Sequence, residues 1–279
     1  MQAIRESKFA ALGGLNLHYL DWGNPRNERV LVCLHGTSGN AHHWDGLAKD
    51  LVPSYRLIAL DQRGHGESDK PSHGYDAITF ARDLEEFVDN IRLSNFALLG
   101  ASLGSRVATV YAGRHPDRVR QLILVDLSFE MPEDAQQRMI QGHLTRRRDF
   151  ESVEDALAYS RAMPQRSRWT PEVHREEIEH AIVQRPDGKW EWRYSLEAAL
   201  QSLGQARQDL WHYVSAIRCP TLLIRGQESD VLTISTTQKF LSIVKDCRSL
   251  EIEGSGHGVP RDNPLRFNQV VAEFLLGSA

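Results

Sequence analysis

Short runs of apolar residues alternate with amphipathic segments along most of this chain. Several runs, such as VLVCL and LILV, are apolar at consecutive positions, which is typical of strands that are covered on both faces. Between them, a helical period of apolar positions predicts helices at residues 77–92, 105–114, 234–244 and 265–276. The apolar runs predict seven strands, at residues 16–21, 29–34, 55–60, 95–99, 119–125, 221–225 and 249–252.

The alternation of strands and helices indicates the α/β fold class, with a mostly parallel sheet flanked by helices. Residues 130–210 break this rhythm, because they are polar and rich in Arg, Glu and Gln. Ser152 and Thr170 stand where N-caps of helices are expected. We therefore expect a helical cap at 130–210, inserted after the sixth strand, and a core formed by 1–129 and 211–279.

Composition narrows the class of protein. The chain has 279 residues, of which 41% are hydrophobic and 25% charged, and this is the make-up of an ordinary globular protein. A net charge of −4 gives no basic surface for nucleic acid or for an anionic membrane, so we expect neither partner. The chain has three cysteines, Cys33, Cys219 and Cys247, and this odd number does not suggest a framework of disulfide bonds. No apolar stretch in the sequence is typical of a signal peptide. We expect a cytoplasmic protein, and composition leaves the oligomeric state open.

The stretch LLGASLG contains a Gly-x-Ser-x-Gly pattern centred on Ser102. It follows a predicted strand and begins a predicted helix, which is the setting of a nucleophile elbow. Such a turn strains the serine backbone, so small residues are needed two positions away on either side. Gly100 and Gly104 occupy those positions. Ser102 is therefore a candidate nucleophile, and the alternative is a small residue in a tight strand-to-helix bend.

Four motifs in this order resemble the α/β-hydrolase superfamily over nearly the whole chain. They are VLVCLHGTSGNAHHW, LIALDQRGHGESDKP, LLGASLG and EGSGHGVPRDNP. Around DQRGHG and SDKP the chain is also similar to acetamidomethylene-succinate hydrolase-like members. The resemblance implies a serine hydrolase that needs no cofactor, with a small-molecule substrate. It also implies an oxyanion hole built from the backbone N–H groups of Thr37 and Leu103.

His257 is the histidine that fits the role of general base. It lies in a Gly-rich loop after a predicted strand, and it follows Ser102 in chain order, as this fold requires. His35 and His65 are interpreted as turn residues that bond nearby backbone. His42, His43 and His73 are expected on the surface or at a pocket rim. No His, Cys and Asp residues show metal-ligand spacing along the sequence, so we predict no metal site.

The acid that would orient His257 has two candidates. The usual family position, after the strand at 221–225, holds Ser229, and Asp230 comes one residue later. Some superfamily members instead supply the acid after the sixth strand, where this chain has Asp126. Each aspartate has a structural alternative as well, since Asp126 could cap the insertion and Asp230 a following helix. We take Asp126 as the acid and keep Asp230 as the alternative.

Aromatic and basic residues of the insertion are candidates for a substrate pocket. Trp169, Trp190 and Trp192 would line an apolar pocket or would form the insertion's own core. Arg63 and the arginines between 161 and 168 would pair with a substrate carboxylate or form a solvated face.

The expected reaction is cleavage of an ester, lactone or amide bond of a small molecule through an acyl-enzyme. The same scaffold supports C–C bond hydrolysis and cofactor-free oxygenation, and a non-catalytic ligand receptor is a further alternative.

Overall fold

The computed structural model describes residues 5–277. Eleven strands and eleven α-helices succeed one another in these residues. The strands are β1 (Arg5–Leu12), β2 (Leu15–Trp22), β3 (Val30–Leu34), β4 (Arg56–Leu60), β5 (Phe96–Ala101), β6 (Val119–Val125), β7 (Asp149–Phe150), β8 (Ile182–Gln184), β9 (Trp190–Trp192), β10 (Thr221–Gly226) and β11 (Cys247–Ile252). The helices are α1 (Asp45–Leu51), α2 (Ala77–Asn90), α3 (Leu103–Arg114), α4 (Glu133–Leu144), α5 (Val153–Ala162), α6 (Pro171–Ala181), α7 (Leu196–Gly204), α8 (Trp211–Val214), α9 (Ile234–Ile243), α10 (Val259–Asp262) and α11 (Pro264–Leu276).

Eight strands form the central sheet in the spatial order β1-β2-β4-β3-β5-β6-β10-β11. The strands from β4 to β11 in this order pair in parallel, whereas β2 is antiparallel to both β1 and β4. The seven predicted strands and the four predicted helices are confirmed. The edge strand β1 was not predicted, because most of its side chains are exposed and its apolar signal is weak.

Two apolar clusters cover the two faces of this sheet. Along β3, Val32 and Leu34 belong to one cluster, whereas Leu31 and Cys33 belong to the other. Successive side chains of a strand point to opposite faces, so a strand that is buried on both sides must be apolar at every position. This packing explains the unbroken VLVCL run. The same packing holds the ends of the strands in place, and the loops that carry the candidate site residues begin at these ends.

Residues 130–210, between β6 and β10, contain helices α4 to α7, and the N-caps predicted at Ser152 and Thr170 are confirmed by their side-chain hydrogen bonds. This segment differs from the expected helical insertion in one respect. Strands β7, β9 and β8 form a small antiparallel sheet, which packs with α5 and α6 around a core that includes Phe150 and Trp192. These strands have only two or three residues each, too few for a periodic pattern to show.

No helix among residues 5–277 combines the length and the apolar character needed to cross a bilayer. The parallel strands all point the same way, so the loops that follow β3, β5, β6, β10 and β11 leave from one edge of the sheet. Those five loops carry Thr37, Ser102, Asp126, Asp230 and His257, in that order.

Candidate active site

Ser102 lies on a sharp turn between the last residue of β5 and the first residue of α3. Its backbone has φ 51° and ψ −110°, outside the regions that L-residues usually adopt. Among residues 5–277, four non-glycine residues have positive φ, and three of them, Ser38, Ser102 and Asp126, lie in loops at this edge of the sheet. Strained backbone persists only where the surroundings enforce it, so its concentration here marks a built site.

Two glycines leave room for this turn. A Cβ atom at Gly100 would lie 2.1 Å from the carbonyl oxygen of Gly104, and one at Gly104 would lie 2.3 Å from the carbonyl oxygen of Leu34. Both obstacles are backbone atoms of the buried core and cannot swing aside. Helix α3 can therefore approach β3 and β5 closely only because no side chain stands at either position.

Replacing Gly104 by Ala should lower the free energy of unfolding by about 2–3 kcal/mol, because the added methyl group overlaps the Leu34 carbonyl. Urea unfolding followed by circular dichroism measures this loss. Gly142→Ala is the matched control, since a Cβ there meets nothing within 4 Å and Gly142 lies inside helix α4. That variant should be as stable as the wild type or more stable by about 0.5–1 kcal/mol. Equal stability of the two variants would contradict the close approach.

The structure brings Ser102, His257 and Asp126 together. Oγ of Ser102 lies 2.8 Å from Nε2 of His257, and Nδ1 of the same ring lies 2.7 Å from Oδ1 of Asp126. When Nδ1 donates its proton to the carboxylate, Nε2 presents a lone pair that accepts from the serine hydroxyl. Ser102 follows β5, Asp126 follows β6 and His257 follows β11. Along the chain, Asp126 comes 24 residues after Ser102, and His257 comes 131 residues after Asp126.

Asp126 is buried and is held by groups from the loop after β10. Its Oδ2 accepts from the N–H of Gly226 at 3.0 Å, and its Oδ1 accepts from the hydroxyl of Ser229 at 2.6 Å. Ser229 stands where the family resemblance placed an acid. Its role was missed in the sequence, although a small hydroxyl residue at that position is a signal that the acid comes from elsewhere.

Asp230 is not brought to His257. Its carboxylate is 59% exposed and accepts from Arg138 at 2.6 Å, and Arg138 also bonds Asp134. This places Asp230 in a surface ion pair at the rim of the site. Of the two acids left open by the sequence, only Asp126 touches the imidazole.

Burial opposes a positive charge on His257, but the hydrogen bond and the negative charge of Asp126 outweigh it. The pKa of the imidazole is therefore raised above its ordinary value of 6.5. A carboxylate fixed on Nδ1 favours the imidazolium and makes Nε2 a better proton acceptor. The ring is thus oriented and made more basic by the same contact.

Thr37 and Leu103, the residues expected to form an oxyanion hole, both belong to segments next to Ser102. A Cβ at Gly36, the neighbour of Thr37, would lie 3.2 Å from Cβ of Ser102, so the loop after β3 passes close to the serine. Leu103 is the first residue of α3, where a backbone N–H has no acceptor within the helix. Neither amide donates to a backbone oxygen in the turns and loops of residues 5–277.

His35 and His65 are structural, as predicted. Nδ1 of His35 donates to the carbonyl of Gly36 at 2.8 Å, and Nδ1 of His65 donates to the carbonyl of Arg63 at 2.9 Å. Burial lowers the pKa of His65 to about 3, so its ring stays neutral. His43 lies at the wall of the cavity described below, in line with the predicted pocket rim.

His42 belongs to a cluster that sequence spacing did not reveal. Ligand atoms of His42, Asp45 and His180 lie within 4.8 Å of one another, although His180 comes from α6. The two imidazole rings stack with centroids 3.5 Å apart and planes 5° apart, so their in-plane lone pairs do not converge on one ion. The guanidinium of Arg5 also bonds His42 and Asp45. In this arrangement the cluster is a stacked and ion-paired contact.

A cavity of about 460 Å³ adjoins His257 and Thr37. This volume is typical of pockets for small molecules. The segment 130–210 supplies much of its wall, including Met139, Arg146 and Trp169.

Some of the tryptophans and arginines that the sequence suggested for a substrate pocket line the cavity, and the others do not. Trp169 lines the cavity and donates through Nε1 to Asp262 at 3.1 Å, whereas Trp190 and Trp192 pack in the core of the insertion. Arg63 does not face the cavity, because it forms a part-buried ion pair with Asp83. Of the arginines between 161 and 168, Arg166 and Arg168 line the cavity and Arg161 does not.

Comparison with known proteins identifies the family to which this chain belongs. A family model described as the alpha/beta hydrolase fold matches residues 29–264. A 3-hydroxybutyrate-oligomer hydrolase from Cupriavidus necator is 28% identical over 274 residues, which cover 93% of this chain and 92% of that protein. A 2-(acetamidomethylene)succinate hydrolase from Mesorhizobium japonicum is 25% identical over 249 residues, which cover 88% of this chain and 87% of that protein.

Among solved structures, the crystal structure of E-2-(acetamidomethylene)succinate hydrolase matches with a TM-score of 0.89 at 24% identity, covering 98% of this chain and 99% of the other. The fold predicted from the sequence is thereby confirmed, as is the similarity to members of that kind. The family model spans most of the chain, and both sequence relatives are hydrolases. The chain therefore belongs to the alpha/beta hydrolase fold family and is one of its enzymes.

Proposed function

We propose that this enzyme is a serine hydrolase that cleaves an ester, lactone or amide bond of a small molecule. The observation that carries the proposal is the unbroken line of hydrogen bonds from Ser102 through His257 to the buried carboxylate of Asp126, beside a cavity of ligand size. Serine, histidine and aspartate in this order and contact form the constellation that activates a hydroxyl group as a nucleophile.

In the proposed reaction, His257 takes the proton of Ser102 through Nε2 as Oγ attacks the substrate carbonyl carbon. Asp126 holds the ring in the tautomer whose Nε2 is free and stabilises the imidazolium that forms. The N–H groups of Thr37 and Leu103 donate to the oxyanion of the tetrahedral intermediate. In other hydrolases, loss of one such donor costs about 3 kcal/mol of transition-state stabilisation.

Collapse of this intermediate expels the leaving group, which receives the proton from His257, and leaves an acyl group on Ser102. A water molecule then gives its proton to His257 and attacks the acyl carbonyl, and the ester bond to Ser102 breaks. The serine regains its proton, so atoms and charges balance over the cycle. The site returns to its starting state with one acid and one alcohol or amine released.

We further propose that residues 130–210 act as a cap domain on a core made of residues 1–129 and 211–279. The cavity wall supports this division, since one side comes from the loops after β3 and β11 and the other from α4 and the segment around Trp169. In this arrangement the core supplies the chemistry, and the cap selects the substrate.

A panel of short esters, lactones and amides tests the proposed bond class, with β-diketones included for C–C bond hydrolysis. We expect turnover of at least one acyl compound without any added cofactor and no cleavage of the diketones. Cleavage of the diketones alone would point to the C–C chemistry that the scaffold also supports. Tight binding of the panel compounds with no product after hours would point to a receptor.

The rate should depend on pH through His257, because only its neutral form accepts a proton. As pH falls through the pKa of the ring, the neutral fraction falls, and kcat/KM should fall in proportion. Since Asp126 raises that pKa, the midpoint of the decline should lie above 6.5. A profile of kcat/KM from about pH 5 to about pH 9 measures it. A midpoint below 6.5, or a rate that rises as pH falls, would contradict this role for the ring.

A further inference from the structure

The side chain of Arg146 stands out in the cavity wall because its charge has no acidic partner. It follows α4, is half-buried, and makes no ion pair with any of residues 5–277. Its nearest polar contacts are neutral hydroxyl groups, Ser38 Oγ at 3.4 Å and Tyr194 Oη at 3.3 Å. Its Nε is buried and has no hydrogen-bond partner in this part of the chain.

Two aromatic rings hold this guanidinium in place. Its central carbon lies 5.6 Å from the ring centre of Trp192 and 5.7 Å from that of Tyr194. Arginine stacks well on aromatic faces, which attract its charge without using its N–H donors. The group is thus oriented, while its Nε–H has no hydrogen-bond partner and its terminal nitrogens meet only neutral hydroxyl groups. The contact with Ser38 places it beside the loop that carries Thr37.

The charges nearby do not compensate Arg146. Arg166 and Arg261 share one carboxylate, that of Glu177, at 3.8 and 3.0 Å. The wall holds four arginines and four carboxylates in all, and among these arginines only Arg146 has no carboxylate of residues 5–277 within ion-pair distance. Of the other charged side chains of the wall, Arg168 pairs with Glu228 and Asp230 with Arg138.

A guanidinium that is partly withdrawn from water and lacks a counterion is costly unless a ligand supplies one. Its planar fork matches a carboxylate, which it binds through two parallel N–H···O hydrogen bonds. The neighbouring hydroxyl groups of Ser38 and Tyr194 add polar partners for the same ligand. The chemistry of this part of the wall therefore fits an anion of carboxylate size.

We propose that Arg146 binds a free carboxylate of the substrate, so that the enzyme acts on small esters, lactones or amides that carry an acid group. The substrate class rests on the proposed serine hydrolase function, whereas the binding site itself does not. Because Arg146 contacts the loop that carries Thr37, the acid group lies a short spacer away from the carbonyl that is attacked.

Monoethyl succinate and ethyl pentanoate, an acidic and a neutral ester of similar length, test the proposal. We expect the wild type to prefer the acidic ester in kcat/KM. Arg146→Gln should lower the ratio of the two kcat/KM values by roughly 10- to 100-fold, the range for a lost hydrogen bond to a charged group. Arg146→Lys keeps the charge but loses the fork, and should restore part of the ratio.

Arg148→Gln is the matched control, because it removes the same charge two residues away, from an exposed side chain outside this cavity. It should leave the ratio unchanged. The same ratio in wild type and in both Arg146 variants would overturn the proposal. An equal loss in the Arg146 and Arg148 variants would also overturn it, since it would reflect only the general field of the protein.

Calorimetric titration with succinate separates this inference from the proposed function. Succinate should bind the wild type and Ser102→Ala alike, and should bind Arg146→Gln much more weakly. If no ester, lactone or amide of the substrate panel is turned over but succinate binding depends on Arg146, the anion site stands and the hydrolase proposal fails. If ethyl pentanoate is hydrolysed through Ser102 and succinate binding ignores Arg146, the hydrolase proposal stands and the anion site fails.

Discussion

Replacing Ser102 by Ala should reduce kcat on any accepted ester by on the order of 10⁶-fold, the scale seen when a triad serine is removed. The methyl group keeps the volume of the turn but removes the atom that lies 2.8 Å from Nε2 of His257 and that would form the acyl bond in the proposed reaction. Nothing else in the line of hydrogen bonds substitutes for that oxygen. Initial rates on the best ester of the substrate panel, measured at high enzyme concentration, give the ratio.

Ser242→Ala is the control for the loss of a serine hydroxyl, since Ser242 lies in α9, outside the cavity, and donates to the carbonyl of Lys239. It should keep wild-type kcat. A Ser102→Ala enzyme that is folded by circular dichroism and retains more than about a hundredth of wild-type kcat would contradict the assignment of Ser102 as the nucleophile. Covalent catalysis cannot survive the loss of the nucleophilic atom.

Replacing Asp126 by Asn should lower kcat by about 10⁴-fold, as for the corresponding change in a triad protease. The amide nearly matches the carboxylate in shape, but its NH₂ group cannot accept the proton on Nδ1 of His257. The ring then favours the tautomer whose protonated Nε2 cannot accept from Ser102. Because the fold survives such a change more readily than a truncation, the loss reports on chemistry.

Asp230→Asn is the matched comparison, because it makes the same substitution at the other candidate acid. The side chain of Asp230 is exposed and pairs with Arg138 instead of contacting His257. The substitution should change kcat by less than about fivefold, since an exposed ion pair contributes at most about 1 kcal/mol. Both variants are assayed with the same ester. A larger loss in Asp230→Asn than in Asp126→Asn would reverse the choice of acid.

The fold and most of the site were predictable because they rest on local patterns. The buried parallel strands are apolar at every position, and Gly100 and Gly104 reveal the sharp turn at Ser102 by their spacing. His257 was reached through its Gly-rich loop and its place in the chain. These features depend on residues that are neighbours along the sequence, so a single chain displays them.

The features that were missed depend on contacts between distant segments. Ser229 meets Asp126 across 103 positions, and Arg146 meets Ser38 across 108. Neither pairing leaves a trace in local spacing, and an arginine in a polar stretch is usually solvated. The sequence indicates Asp126 as the acid but does not exclude Asp230 for the same reason, because only the folded sheet determines which carboxylate reaches the ring.

Labelling with a fluorophosphonate probe, followed by mass spectrometry of the digested protein, tests the central claim most directly. The probe bonds covalently only to a serine that a neighbouring base activates. The account predicts one adduct, on Ser102, which disappears when His257 is replaced by Ala. An adduct on any other residue, or none at all on a folded enzyme that hydrolyses esters, would contradict it.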